Sequence, residues 1–376
     1  MAELRELISP APLVRCGQNS YPVLSMTMHD GIMLQSERFK KSLASVDQST
    51  YKVVKRNQLV IGFPIDEGVL YIQKVIDEGI MSPAYDVWDV NQSLIDLNYL
   101  ELCLHSPQAM DYYKKNLRGT TARRRSLPKD VLLSLPISLP NIDEQIKIAR
   151  RIEKLSNIIA LRKKQLQKLD DLVKARFIEM FGGCKDRKRL AEFSILITKG
   201  ASPKWQGIDY CDKGTLFVTS ENVREGYIDL SKRKYLPDEI NRILPRSMLQ
   251  RNDVLINIVG ASIGRAAIFE SDELANINQA VAVVRLKKDA LDLRFLITFL
   301  NSEEAEKAYG VMKKGGARDN LSLQNISDLL IPVATMQEQQ HYSAFVSQVD
   351  KSKLSIQQSI EKLETLKKSL MQQYFG

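Results

Sequence analysis

One pentapeptide in this chain has the residues and spacing of a hydrolase nucleophile. Gly260-Ala261-Ser262-Ile263-Gly264 follows a stretch read as a strand and matches the G-x-S-x-G turn that lifts a serine hydroxyl above a sheet. That chemistry needs a histidine and an acid placed in order downstream, and the only downstream histidine, His341, falls inside a segment read as a long helix. The pattern therefore reads as a tight turn. Nuclease chemistry fares no better, because the only Pro-Asp, Pro237-Asp238, lies after the only Asp-x-Lys, Asp186-Arg187-Lys188. Methyl transfer to a base calls for Asn-Pro-Pro-Tyr and a Gly-rich cofactor loop, and ATP hydrolysis for G-x-x-x-x-G-K-[ST]; the chain has none of these. His29, His105 and His341 are far apart, and Cys16, Cys103, Cys184 and Cys211 form no CxxC pair, so neither a metal site nor a disulfide framework is expected. No cofactor and no catalytic residue are expected.

What remains is chemistry suited to holding polyanions. The formal charge of +9 and the pI near 9.2 favour nucleic acid over acidic partners. The basic and Gly-containing stretches are local: 199–205 with Lys199, Ser202, Lys204 and Trp205; 220–224 with Ser220, Asn222 and Arg224; and 313–318 with Lys313, Lys314 and Arg318. Ser262, Arg265, Asn278 and Gln279 are further candidates, and the first half of the chain offers Arg38, Lys40, Lys41 and Arg123-Arg124-Arg125. Lys and Arg can reach phosphates, Asn, Gln, Ser and Arg can reach base edges, and Gly lets backbone amides approach the phosphate chain. Any one of these charges could equally be an ordinary solvated side chain. The group stands out because a basic, Gly-containing loop recurs at matching places in both halves.

That recurrence belongs to a duplication. Glu144, Gln145, Lys168, Leu169, Leu172, Lys174, Phe181 and Gly182 return as Glu338, Gln339, Lys362, Leu363, Leu366, Lys368, Phe375 and Gly376, each 194 residues later. Outside this segment, Arg56-Asn57 matches Arg251-Asn252, Asp96-Leu97 matches Asp292-Leu293, and Gly119 to Arg123 matches 315–318, with offsets of 194 to 196. Two similar modules are implied.

From Ile148 the apolar residues Ile152, Leu155, Ile159, Leu166, Leu169, Val173 and Met180 advance in steps of three and four interrupted only at Arg162 and Arg176, drawing a stripe down one helix face. Val346, Val349, Ile356, Ile360, Leu363, Leu370 and Tyr374 do the same in the second copy. No Pro or Gly interrupts either segment, so each helix can run for roughly 57 Å at 1.5 Å per residue. Such a stripe needs a partner stripe. The other copy supplies one as an intramolecular antiparallel coiled coil, with pairing between two chains as the alternative.

Each module reads as strands followed by late helices. In the second, 215–219, 253–259, 265–269 and 280–286 have strand character and 291–300, 303–312 and 321–330 helical character. In the first, strands are expected near Val23, over 53–61 and 69–75, with helices over 94–105 and 108–116. No run of about 18 uncharged apolar residues exists, and no secretory signal opens the chain, so no membrane span and a cytoplasmic location are expected.

In this order, module, long helix opening on Glu-Gln and closing on Phe-Gly, module, long helix, the chain resembles the specificity subunit of type I restriction-modification systems over essentially its whole length. Leu135-Pro136, Leu139-Pro140 and Glu144-Gln145, with Ile331-Pro332 and Glu338-Gln339, carry the resemblance most specifically. Gly200-x-x-Pro203, Gly260-x-x-x-Gly264 and 276–280 look like that family's target recognition domains. The first module departs by lacking Gly-x-x-Pro in a shorter opening loop. The resemblance implies an α+β protein: two tandem α/β target recognition domains, separated by two long helices forming an antiparallel coiled coil, with a pseudo-twofold internal repeat. Its expected boundaries are 1–140, 141–183, 184–333 and 334–376. It also implies double-stranded DNA as ligand, each domain reading one half of a bipartite site and the helices fixing the gap, with half-sites about one helical turn apart centre to centre. Two copies of a DNA adenine methyltransferase subunit and restriction/translocase subunits are the implied protein partners. The competing reading is a scaffold or inhibitory adaptor that holds proteins through the same helices and never reads DNA. Replacing Arg123, Arg124 and Arg125 with Ala is expected to weaken DNA binding and flatten its salt dependence; unchanged binding by the assembled complex removes that loop from the interface.

Overall fold

The computed structural model describes residues 1–28, 30–38, 47–118, 127–313 and 320–376, the side chains of Arg38, Met312 and Lys313 excepted. The chain divides into two compact units, Met1–Lys163 with Gln358–Gly376, and Lys164–Gln357. Each unit therefore includes half of each long helix.

Those helices run over Ile142–Phe181 and Met336–Phe375, 40 residues apiece. Their starts are set by side chains. Asn141 Oδ1 accepts from the Glu144 amide at 2.9 Å, while Thr335 and Glu338 cap one another reciprocally. The Thr335 hydroxyl and amide hold the Glu338 carboxyl below its ordinary range. Within the first unit, Arg151 Nη1 donates to the Tyr374 hydroxyl at 2.9 Å and Lys163 pairs with Glu364 at 2.8 Å, so the two helical segments run antiparallel. Within the second, Asp170 pairs with Lys353 and Tyr342 donates to the Val173 carbonyl at 3.3 Å, giving the same sense.

The helix pair also completes each unit's core. Ile148, Ala149, Ile152, Met371 and Phe375 lie buried with Tyr99, Leu100 and Leu104 in the first unit. In the second, Phe177, Phe181 and Tyr342 close around Phe295 with ring centroids 4.8 to 5.5 Å apart for the Phe295 and Phe177 contacts. Burial of each such side chain stabilises by about 1.5–3 kcal/mol. Burial pushes the Tyr342 phenol up to about 12. Phe177 belongs to no step of the stripe read from the sequence, yet it is buried in this cluster, because the trace from Val173 to Met180 passes that turn at Arg176, one residue away.

A polar latch fixes where each helix docks. Gln145 is fully buried; its Oε1 accepts from the Asp96 amide at 2.8 Å and its Nε2 donates to the Leu94 and Pro140 carbonyls. Asp96 in turn caps Leu97–Leu104, receiving the Asn98 and Tyr99 amides. The second unit repeats this device: Gln339 accepts from the Asp292 amide at 2.8 Å and donates to the Ala334 carbonyl, and Asp292 caps Leu293–Leu300. The Glu-Gln dipeptide thus recurs because its glutamine ties the long helix to the start of a module helix.

Both units are built on one four-stranded antiparallel sheet pattern. The first orders Ile8–Pro10, Asp86–Val90, Leu59–Ile61 and Leu70–Ile72 across the sheet; the second orders Ser194–Lys199, Val281–Leu286, Val254–Asn257 and Ala266–Ile268. The second adds a sheet in which Thr215–Val218 runs parallel to Ala275–Ile277. A shared turn precedes the third strand. Asn57 and Asn252 take φ of 71° and 72°, and the following side chain reaches back across it. Gln58 accepts from the Lys55 amide and donates to Asp89, each at 2.7 Å, where Asp253 accepts from the Gln250 amide and binds Arg285 through two 2.7 Å contacts.

That turn divides the strand expected over 53–61 into Lys52–Lys55 and Leu59–Ile61, since left-handed backbone cannot continue a ladder. The helix expected over 321–330 shortens to Leu323–Ser327, because Leu330–Pro332 pairs with Arg187–Arg189. Among the described residues no helix is long and apolar enough to cross a membrane. Replacing Gln339 with Leu is expected to destabilise the second unit by about 1–3 kcal/mol, since the Asp292 amide and Ala334 carbonyl lose their partner while volume is nearly kept. Equilibrium urea unfolding checks this, and an unchanged midpoint removes the latch.

Candidate nucleic-acid interface

Four strands of the second unit finish toward a common set of loops. Gly200 follows Ser194–Lys199, residues 219–226 follow Thr215–Val218, residues 258–265 follow Val254–Asn257, and residues 278–280 follow Ala275–Ile277. Their convergence is recorded in contacts. A Cβ at Gly200 would collide with the Ile277 and Asn278 carbonyl oxygens, so only glycine lets the first loop root so close to the last. The Asn278 amide donates to the Val218 carbonyl at 3.1 Å, joining the second loop to the fourth.

Asn257 is the hub. It is fully buried at the end of its strand, and its Nδ2 lies 3.0 Å from the Ser220 carbonyl, 3.3 Å from that of Val223 and 3.1 Å from Ser262 Oγ. Its Oδ1 has no hydrogen-bond partner among the described residues. One amide therefore holds two loops at once. Gly264, at φ 90°, closes the 258–265 turn against the Tyr309 ring, where a Cβ would lie 2.7 Å from two ring carbons.

Around this frame the candidate residues sort by what they touch. Lys199, Lys204, Trp205 and Gln279 are exposed, and Arg265 is half-buried. Lys199, Lys204 and Arg265 make no ion pair among the described residues. Asn222 is buried, its side chain bonded to the Thr219 amide and hydroxyl and to the Asp229 carbonyl, so it shapes its loop from within. Asn278 Oδ1 likewise receives the Ala280 amide at 3.2 Å. Ser220 and Ser262 are half-buried beside Asn257, and Arg224 lies 3.7 Å from Asp229. The acids here stay ionised: Lys234 draws the Glu221 carboxyl down, and the Ser231 hydroxyl and amide do the same for Asp229. His341 is exposed in the long helix, while Ser262 meets the Asn257 amide. Among the described residues no group of His, Cys, Asp and Glu is gathered that could hold a metal ion.

Lys40, Lys41, Arg123, Arg124, Arg125, Lys314 and Arg318 lie outside the described residues. Arg38 and Lys313 end the helices Gln35–Arg38 and Glu303–Lys313, their side chains outside the description.

The first unit builds the matching edge differently. Gly62 stands where the second has Asn257, directly after the corresponding strand, and a Cβ there would strike the Met26 methyl and lie 3.3 Å from the Tyr85 ring. Phe63, 62% exposed, meets Tyr85 edge-on at 5.5 Å. Beside it Lys52 and Lys129 flank a groove lined by Pro10, Leu13, Val14 and Trp88, with the Lys129 ammonium 4.5 Å above the Trp88 ring.

The model of the type I restriction modification DNA specificity domain matches this chain twice, over residues 21–171 and 188–365. The chain belongs to this family. It is 22% identical over 375 residues to the specificity subunit of the type I restriction enzyme MjaVIII of Methanocaldococcus jannaschii, covering 93% of this chain and 84% of that one. A match to the EcoBI specificity subunit of Escherichia coli, 27% identical over 158 residues, covers 41% of this chain and 33% of the relative. Its fold is shared with a chain solved in work on complex assembly and conformational transition of the type I R-M system, at TM-score 0.63 and 16% identity, covering 100% of this chain and 96% of that one. The type I S subunit from M. genitalium is similar at TM-score 0.56 and 12% identity, covering 100% and 95%.

Within this specificity domain, sequence reasoning passed over Asn257, Gly62, Phe63, Lys52 and Lys129. Asn257 could have been found as a polar residue closing an otherwise apolar strand; Gly62 and Phe63 carry no signal until the strands are aligned by register. Asn257→Ala is expected to free the 219–226 and 258–265 loops, speeding proteolysis there and lowering DNA affinity about tenfold or more, whereas equal cleavage rates in both proteins deny the hub its role.

Proposed function

We propose that this chain is the non-catalytic DNA-recognition subunit of a type I restriction-modification complex, acting in the cytoplasm. Each unit reads one half of a bipartite double-stranded site through the loops at its strand ends. The observation that carries this reading is the duplicated reading edge, each copy locked to the same pair of antiparallel helices through Gln145 or Gln339 and through aromatic burial. In the second unit, Lys199, Lys204 and Arg265 serve phosphates, Gln279, Ser262 and Trp205 face the bases, and Arg224, Ser220, Asn222 and Asn278 keep the loops in shape. In the first unit, Lys52 and Lys129 join Arg38, Lys40, Lys41 and Arg123 to Arg125; in the second, Lys313, Lys314 and Arg318 extend the basic rim. The contrast between Gly62 with Phe63 and Asn257 with Ser262 supports unlike half-sites.

The helices are proposed to set the gap and to dock two DNA adenine methyltransferase subunits, one for each copy of the repeat, with restriction/translocase subunits joining them. Leucines left exposed on the helices support docking: Leu161 and Leu366 in the first unit, Leu172 and Leu354 in the second. These same leucines are what favours the competing scaffold reading, in which only proteins are held. Mapping methylated adenines in the host genome, followed by binding of a duplex carrying the mapped site, decides between them. Affinity is expected to fall steeply with salt as phosphate contacts release counterions.

A length test addresses the ruler. Four residues inserted after Leu161 and four after Ser355, about one helical turn each, are expected to lengthen the gap between half-sites while leaving both halves intact. Methylation at an unaltered gap refutes the role of the helices as spacer.

A further inference from the structure

We propose that Trp205 is a base-stacking wedge for the second half-site, opening one base step and seating its indole against the exposed π-face. The proposal rests on the recognition reading above and adds to it a specific ligand, the face of a nucleobase. Trp205 is 81% exposed, and among the described large hydrophobic residues Met1 alone is more so. Such exposure is not the result of a loose segment. The indole rides on the helical turn Pro203–Gln206, in which the Trp205 amide donates to the Ser202 carbonyl at 3.1 Å and the Ile208 amide to the Pro203 carbonyl at 3.1 Å. Pro203 is buried, Gly207 closes the turn at φ 68°, and Gly200 seats the loop's root against the Ile277 and Asn278 carbonyls. A flat aromatic surface thus projects from a hydrogen-bonded turn on the loop that leaves the edge where four strands end.

Its surroundings select the ligand. Lys204, Gln206 and Asp209 beside it are exposed and polar, Lys199 precedes it on the same loop, and Tyr210, 57% exposed, is the next exposed aromatic along the chain, so the indole is set among polar and charged sequence neighbours. An exposed aromatic next to unpaired cations matches a base carried on phosphates. Within a duplex the π-faces are covered, and an apolar side chain reaches them by partly unstacking a step, which costs least at pyrimidine-purine steps. The second half-site is therefore expected to contain such a step. At the position that register aligns with this loop, the first unit presents Leu13 and Val14 after Pro10.

The test uses the full chain, alone and co-expressed with a type I DNA adenine methyltransferase subunit from the same host, and a duplex carrying the mapped methylation site. Trp205→Ala is expected to lower affinity about tenfold to a hundredfold, with Trp205→Phe retaining most of it and the salt slope unchanged in both, because no charge is lost. The chain's other tryptophan, Trp88, is 3% exposed, so acrylamide-quenchable emission reports on Trp205. The cognate duplex is expected to protect it, and a duplex with a scrambled second half is not. Wild-type affinity in Trp205→Ala, with the indole still quenchable in a complex proven by mobility shift, overturns the proposal. Protection by the methyltransferase subunit without DNA assigns the indole to a protein contact and also overturns it. Failure of the wild-type complex to bind any cognate duplex overturns the recognition reading, and this proposal with it.

Discussion

Everything in this protein depends on the helix pair being part of each unit's core rather than an attachment to it. Phe177, Phe181 and Tyr342 surround Phe295, and Met371, Phe375, Ile148 and Ile152 lie with Tyr99, so removing a helix end would open apolar interior to water. Truncating one buried aromatic of this kind costs about 3–5 kcal/mol. The glutamine latches add direction to this attraction. Apolar burial alone lets a helix slide by a turn, whereas Gln145 and Gln339 fit only where the amide of a capping aspartate awaits an acceptor.

With docking settled by the helices, the reading edges were free to diverge. Asn257 and Gly62 occupy corresponding places in the matching sheets of the two units, one holding its loops by hydrogen bonds, the other leaving room for Met26 and Tyr85. The same exchange of polarity occurs within the frame, where Gln58 with Asp89 does what Asp253 with Arg285 does. A domain that reads half of a site needs loops that change without disturbing the sheet. Attaching loops to strand ends through one side chain or one glycine meets that need.

Much of the architecture was legible from residue order. The 194-residue repeat, the stripe from Ile152 to Met180 and the Glu-Gln start describe two helices with complementary seams, and α+β modules follow from strands and late helices. Other features were hidden for physical reasons. The turn at Asn57 breaks a β-rich run through one left-handed residue, which Asn tolerates but does not announce. Candidate contacts such as Asn222 and Asn278 have the composition of base readers, yet their side chains are committed to their own loops, and composition cannot say which way a side chain turns.

The chain by itself determined the duplication, the paired helices and the membership of Gln145 and Gln339 in a common device, because periodicity and identity at fixed spacing are properties of order along a line. Only the tertiary structure decided that Gly200, Asn257 and Asn278 meet, that Trp205 stands uncovered while Trp88 is enclosed, and that one unit's hub is an amide and the other's a gap. Those facts concern loops brought together from distant segments, whose proximity is set by strand register and close packing and leaves no local signature.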